Sequence, residues 1–188
     1  MEKEPTSDIQ ISNLKIDLPV FTTYWKENLS EIKESILNLR KEFPETVDDG
    51  NIECEWRSDW MIHKRDEFAK VKEYIETLCN NVSGQHLECF DTFQVTNMWA
   101  MIYGKEDGAK AHHHFPSTFS VCFYISVGDD PSPFCFFPDT CQQPEDGMIL
   151  VFPSNAVHYV PHIGTSERIC ISANLKHVPR QLAQVSDL

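Results

Sequence analysis

Basic charge is scarce in this sequence. Its 188 residues carry 16 Lys and Arg against 29 Asp and Glu, a formal net charge of −13. Phosphate binding needs a clustered Lys/Arg face, so a broad nucleic-acid surface is not expected, although a small basic groove remains open. The acidic excess is read first as an aid to solubility. No apolar run approaches a membrane span, and the polar start M-E-K-E-P-T-S-D does not read as a signal peptide. The seven cysteines form no C-x-x-C pair, which argues against zinc ribbons and thioredoxin-type redox sites. Cys122, Cys135 and Cys170 lie in apolar strand-like runs, where a reduced thiol packs as a small hydrophobe. A reducing, cytoplasmic setting follows as the expectation. There is also no G-x-S-x-G, no phosphate-binding glycine loop and no H-E-x-x-H.

What is present divides by periodicity. Residues 1–26 hold short alternations (Ile9, Ile11, Leu14, Ile16, Leu18, Val20, Phe21) that read as one or two opening strands. In residues 29–43, Leu29, Ile32, Ile36, Leu39 and Phe43 recur at helical spacing; Asn28 is the expected N-cap and Pro44 the stop. Residues 45–64 are polar, with a turn signal at Asp49-Gly50 and with Trp56 and Trp60 expected to pack on the core. A second helix is expected over 66–80, capped by Asp66, with Phe68, Val71, Ile75 and Leu78 as its stripe and Asn80, Asn81 and Gly84 ending it. Beyond residue 87 the pattern becomes alternating, with strands expected near 93–103, 118–127, 134–137, 148–152, 156–160 and 168–175. Length and pattern predict one domain. Residues 1–90 form a helix-rich supporting region, 91–176 a β core and 177–188 a tail. The fold class is mainly β with helices (α+β), a jelly roll or sandwich with the helices on one sheet.

The chemistry concentrates in A-H-H-H-F-P-S-T-F-S-V-C-F-Y-I, residues 111–125. Alternate side chains of a strand share a face, so His112 and His114 point one way and His113 the other. A His-x-His pair offers two imidazoles at chelating distance, and a third ligand must come from elsewhere. His158, in a later strand, is the best candidate. Three protein ligands leave coordination positions open, which suits catalysis better than a structural role. A lone strand histidine is more often a satisfied polar residue than a ligand. His162 is a spare candidate behind Pro161, and His63, His86 and His177 carry no local signal.

The run H-H-H-F-P-S-T-F-S-V-C-F-Y-I, then G-M-I-L-V-F-P-S-N-A-V-H-Y-V, then R-I-C-I-S-A-N-L resembles the Fe(II)- and 2-oxoglutarate-dependent oxygenases. The likeness is to their compact bacterial and phage branch and, more loosely, to prolyl hydroxylases; it covers residues 93–176. The resemblance implies a double-stranded β-helix, a distorted jelly roll. It implies His112 and His158 as metal ligands, with His114 where the common pattern has an acid. It also implies Arg168, ten residues after His158, as partner of the C5 carboxylate of 2-oxoglutarate. A buried carboxylate calls for such a bidentate cation. By the same resemblance Tyr124 and Ser172 touch that carboxylate and Tyr103 borders the cosubstrate. Asn97, Trp99 and Asn174 are left between the mouth of the site and plain packing. The implied reaction uses Fe(II), 2-oxoglutarate and O2 to hydroxylate a peptide, amino acid or small metabolite. Two rivals remain: a three-His cupin-type enzyme that uses no 2-oxoglutarate, and a non-catalytic metal- or ligand-binding domain on the same fold.

Overall fold

The computed structural model describes residues 17–48, 50–87 and 92–178. Most of the expected opening alternation, through Ile16, lies outside the described residues, as do residues 179–188 of the tail. The architecture is mainly β with two α-helices, and all pairings between its named strands are antiparallel. In chain order the elements are β1 (Phe21–Tyr24), α1 (Leu29–Glu42), β2 (Ile52–Glu53), β3 (Trp56–Arg57), α2 (Ala69–His86), β4 (Thr92–Tyr103), β5 (Gly108–His112), β6 (Phe119–Val127), β7 (Phe134–Phe136), β8 (Thr140–Gln142), β9 (Met148–Pro153), β10 (His158–Val160) and β11 (Arg168–Val178). One sheet has the order β1-β9-β6-β11-β4-β3, the other β2-β5-β10-β7-β8.

Strand alternation builds two cores. Phe119, Val121, Phe123 and Ile125 of β6, with Ile169, Ile171, Ala173 and Leu175 of β11, join the helix residues Ile32, Ile36, Val71 and Ile75 in one apolar cluster. The opposite parity, Cys122 and Tyr124 with Cys170 and Leu150, joins Phe134 and Phe136 of the smaller sheet in the second cluster. The helices therefore cover the outer face of the larger sheet, and the second cluster lies between the sheets.

The helices depart from the sequence reading in instructive ways. Asn28 stands at the N-terminus of α1, but it is left-handed (φ 57°) and its side chain makes no capping bond; its carbonyl accepts from Ile32 N at 3.0 Å. Asp66 falls in a 3₁₀ turn and α2 starts at Ala69. Cys79 is fully buried, whereas Leu78 packs only in part. The helix does not end at Asn80 or Gly84 but runs to His86. Asn80 Oδ1 accepts from Phe93 N at 2.8 Å and Glu76 Oε1 from Val95 N at 2.9 Å. These side chains satisfy β4 backbone donors at the sheet edge, so a residue that reads as a breaker works here as a tie.

Four further readings are corrected. The alternation of 93, 95, 99, 101 and 103 is not one face, because the ladder skips Thr96: Asn174 faces Asn97 and Leu175 faces Val95. Phe93 and Val95 point to the helices, while Trp99, Met101 and Tyr103 point between the sheets. The polar stretch at 45–64 contains two short strands, β2 and β3, and a further one, β8, forms at Thr140–Gln142, where no strand is expected. The terminal strand β11 runs on to Val178, past the expected start of the tail. Finally, Cys135 is not a reduced thiol: it is bonded to Cys141, its register partner across β7 and β8. Such a pairing of strands is a tertiary event that local apolarity does not announce.

Candidate metal centre

His112 ends β5 and His158 begins β10, and the two are direct partners in the antiparallel ladder. His114 lies two residues beyond, where the backbone has left the strand but kept its alternation. Ring centroids are 4.4 Å apart for His112 and His158, and 5.0 Å for each of the other two pairs. One nitrogen from each ring lies within 4.8 Å of the others. Among the described residues this trio is the cluster that could hold a metal ion. His113 is exposed and turned to its own loop, accepting from Phe115 N, and His162 is exposed and bonded to Glu106 O. Neither joins the trio.

Two ring orientations are fixed by the backbone. His112 Nδ1 is 2.7 Å from Lys110 O and His158 Nδ1 is 2.9 Å from Ala156 O. A carbonyl only accepts, so each Nδ1 carries a proton, and Nε2 is the nitrogen left to face a metal. His158 is 3% exposed, with Phe134 stacked on it at 5.1 Å and Phe152 meeting it edge to face at 5.0 Å. Burial, reinforced by the neighbouring His112, lowers its pKa to about 3. Burial also lowers His114 to about 3, with help from His112, His113 and Arg57. Both rings are neutral near pH 7, the state a metal ligand requires.

The same cavity continues to Arg168, Tyr103 and Ser172. Arg168 opens β11 opposite Tyr103 and is 2% exposed. Its Nη1 donates to Ser132 O at 2.7 Å, and its guanidinium lies 4.2 Å from the Tyr103 ring centre and 5.8 Å from that of Tyr124. No carboxylate among the described residues pairs with it. Its Nε and the hydroxyl of Tyr124 are buried without partners. Buried polar atoms without partners are costly, and an anion in the cavity would give Arg168 the acceptor its Nε lacks. Ser172, on the same face as Arg168, is half-buried between Trp99 and Cys122. The cavity is narrow, about 30 Å³. A wider groove of about 380 Å³ beside Leu39, Phe43 and Trp56 holds none of these residues.

Sequence reasoning missed Arg57. It is buried with its guanidinium 3.7 Å from the Trp60 ring centre and 5.8 Å from that of Trp99, and Trp99 in turn packs 5.7 Å from His114. The signal was present in W-R-S-D-W, residues 56–60, where an arginine stands among tryptophans able to bury it. Asn174, left open by the sequence, is buried and bonded to Ser120.

Neither protein-family profiles nor curated proteins match this sequence. Solved structures do. The chain is similar to the viral collagen prolyl hydroxylase of Paramecium Bursaria Chlorella virus-1 in its 2-oxoglutarate complex, at TM-score 0.64 and 12% identity over 85% of this chain and 96% of that one. It is similar to a Trichoplax adhaerens prolyl hydroxylase bound to a hypoxia-inducible-factor peptide fragment, at TM-score 0.68 and 14% identity over 84% and 83%. It is also similar to HygX of Streptomyces hygroscopicus with nickel and 2-oxoglutarate bound, at TM-score 0.60 and 12% identity over 84% and 82%. The chain thus shares the fold of these two prolyl hydroxylases and of HygX. Within that fold it carries a cluster of three histidines.

Proposed function

We propose that this chain is an Fe(II)- and 2-oxoglutarate-dependent dioxygenase that hydroxylates a peptide, amino acid or small metabolite. The two sheets are read as the walls of a double-stranded β-helix in one domain. The observation that carries the reading is the placement of Arg168, a buried cation without a carboxylate partner, in the same cavity as the three histidines. His112, His114 and His158 would hold the iron, the first and last through Nε2. Arg168, Tyr124 and Ser172 would take the C5 carboxylate of 2-oxoglutarate, and Tyr103 would flank it. When bound, iron and 2-oxoglutarate supply the chemistry, consuming O2 and releasing succinate and carbon dioxide.

The protein's own work is orientation and dryness. Phe134, Phe136 and Phe152 shield His158 from water. No general base is required of the chain.

The peptide option is supported by the peptide complex of the Trichoplax enzyme, and the acidic charge argues against nucleic acid. No helix among the described residues is long and apolar enough to cross a membrane. The cysteines outside the disulfide, Cys54, Cys79, Cys122 and Cys170, suit a cytoplasmic setting, with the Cys135–Cys141 bridge as the opposing observation. His114 in the acid's position favours one second reading, a three-His enzyme that uses no 2-oxoglutarate.

Anaerobic reconstitution tests the metal site. Wild type should take up one metal ion per chain, and His112→Ala and His158→Ala should lose it. With O2 and 2-oxoglutarate, iron-loaded wild type should release succinate. Unchanged metal content in both variants would overturn the ligand assignment; a loaded protein that makes no succinate would favour the second reading.

A further inference from the structure

His112 and His158 are aligned by a β ladder, but His114 lies outside any strand and needs another support. That support is Ser154, in the turn between β9 and β10. Ser154 is 1% exposed, and its bonds run in three directions. Its carbonyl accepts from His114 N at 2.7 Å, its N–H donates to Thr118 O at 3.0 Å, and its hydroxyl meets Ser120 Oγ at 2.8 Å. Ser120 Oγ also lies 2.9 Å from Asn174 Oδ1, which only accepts, so the single proton of Ser120 goes there. Ser154 must then donate to Ser120. The result is a directed chain, Ser154 to Ser120 to Asn174, that ties the turn to β6 and β11. The same turn leads through Ala156, whose N–H donates to Pro153 O, into His158. The Ala156 carbonyl in turn accepts from the His158 ring.

We infer that Ser154 is a positioning residue that fixes His114 relative to His158, with Ser120 and Asn174 anchoring its hydroxyl. This rests on the metal reading above. Hydrogen bonding that orients a ligand sharpens metal affinity, and its loss typically costs about 10–100-fold. Removing the hydroxyl leaves the main-chain bonds possible but frees the turn to shift. Ser120 and Ser154 form one chain, so their deletions should not add.

The test uses Co(II) binding to the full-length protein, read by affinity and by the visible absorption of the bound ion, whose shape reports ligand geometry. Ser154→Ala and Ser120→Ala should each weaken Co(II) binding about tenfold or more and alter the spectrum. The double variant should be no worse than the weaker single, and Ser154→Thr should restore most of the affinity. Ser83→Ala, which deletes a buried serine on α2, should change thermal stability without changing Co(II) affinity. If Ser154→Ala does not fold, Ser120→Ala alone carries the comparison. Wild-type affinity and spectrum in the serine variants would overturn the positioning role while leaving the metal site standing. So would additive losses, or an equal loss in Ser83→Ala. No Co(II) binding by wild type would overturn both.

Discussion

Replacing Arg168 by Leu separates an arginine that waits for an anion from one that merely braces the fold. The guanidinium donates a charged bond to Ser132 O and sits over Tyr103. The bond is worth about 1.5–3 kcal/mol and the ring contact about 0.5–2 kcal/mol. Against them stands the cost of burying the cation, several kcal/mol per ion even after relaxation. These terms nearly cancel, so Arg168→Leu, which replaces the charge with an apolar side chain of similar bulk, should shift folding stability by no more than about 2 kcal/mol in either direction. Binding is different. Removing one side of a buried arginine–carboxylate pair costs about 3–5 kcal/mol. That is a loss of roughly a hundredfold to several thousandfold in affinity.

The expected signature is therefore a near-normal urea midpoint, near-normal metal loading and no measurable 2-oxoglutarate binding. The midpoint is read on metal-free protein, and binding by calorimetric titration of the Mn(II)-loaded form. A bracing arginine gives the reverse, a lowered midpoint with cosubstrate binding intact. That result, or no binding by wild type, would refute the cosubstrate assignment.

Acid should destabilise the metal-free protein. His114 and His158 have pKa values of about 3 in the fold against 6.5 for a free histidine. Between those values the unfolded chain binds more protons, so stability is lost as pH falls. From about pH 7 to about pH 5 the pair should lose up to about 4 kcal/mol, at about 1.4 kcal/mol per pKa unit. Urea midpoints across that range check it, and a profile unchanged by His158→Phe would count against the assignment. Reduction of Cys135–Cys141, a bridge of sequence separation 6, should lower stability by about 2 kcal/mol from loop entropy. Denaturation with and without a phosphine reductant measures this, with Cys141→Ser, which lacks the bridge, as the variant that should no longer respond.

Local periodicity made much of this protein legible in its sequence. Side-chain alternation is a property of the strand itself, so β6, β9 and β11 were readable and His112 and His114 could be assigned to one face. The apolar stripe likewise identified α1 and the body of α2. His158 and Arg168 needed more than periodicity, and the H-H-H…H…R pattern supplied it; the fold then brings both into the cavity of His112 and His114.

The remainder depends on which segments become neighbours. The pairing of His158 with His112 is a register between strands far apart in sequence. One unpaired residue, Thr96, reverses the faces of β4 because a strand has period two, and only the partner strand reveals the slip. Asn80 reads as a helix breaker until the β4 edge supplies donors for it to accept. Cys135 reads as a packed thiol until β8 presents Cys141. Arg57 and Ser154 carry no periodic signal, because what they do is satisfy polar groups and charges that long-range packing has buried. The sequence by itself determined the two helices, the longer strands and the residue types that could hold a metal or an anion. Tertiary structure decided their register, because register is set by contacts summed over both sheets and not by any single segment.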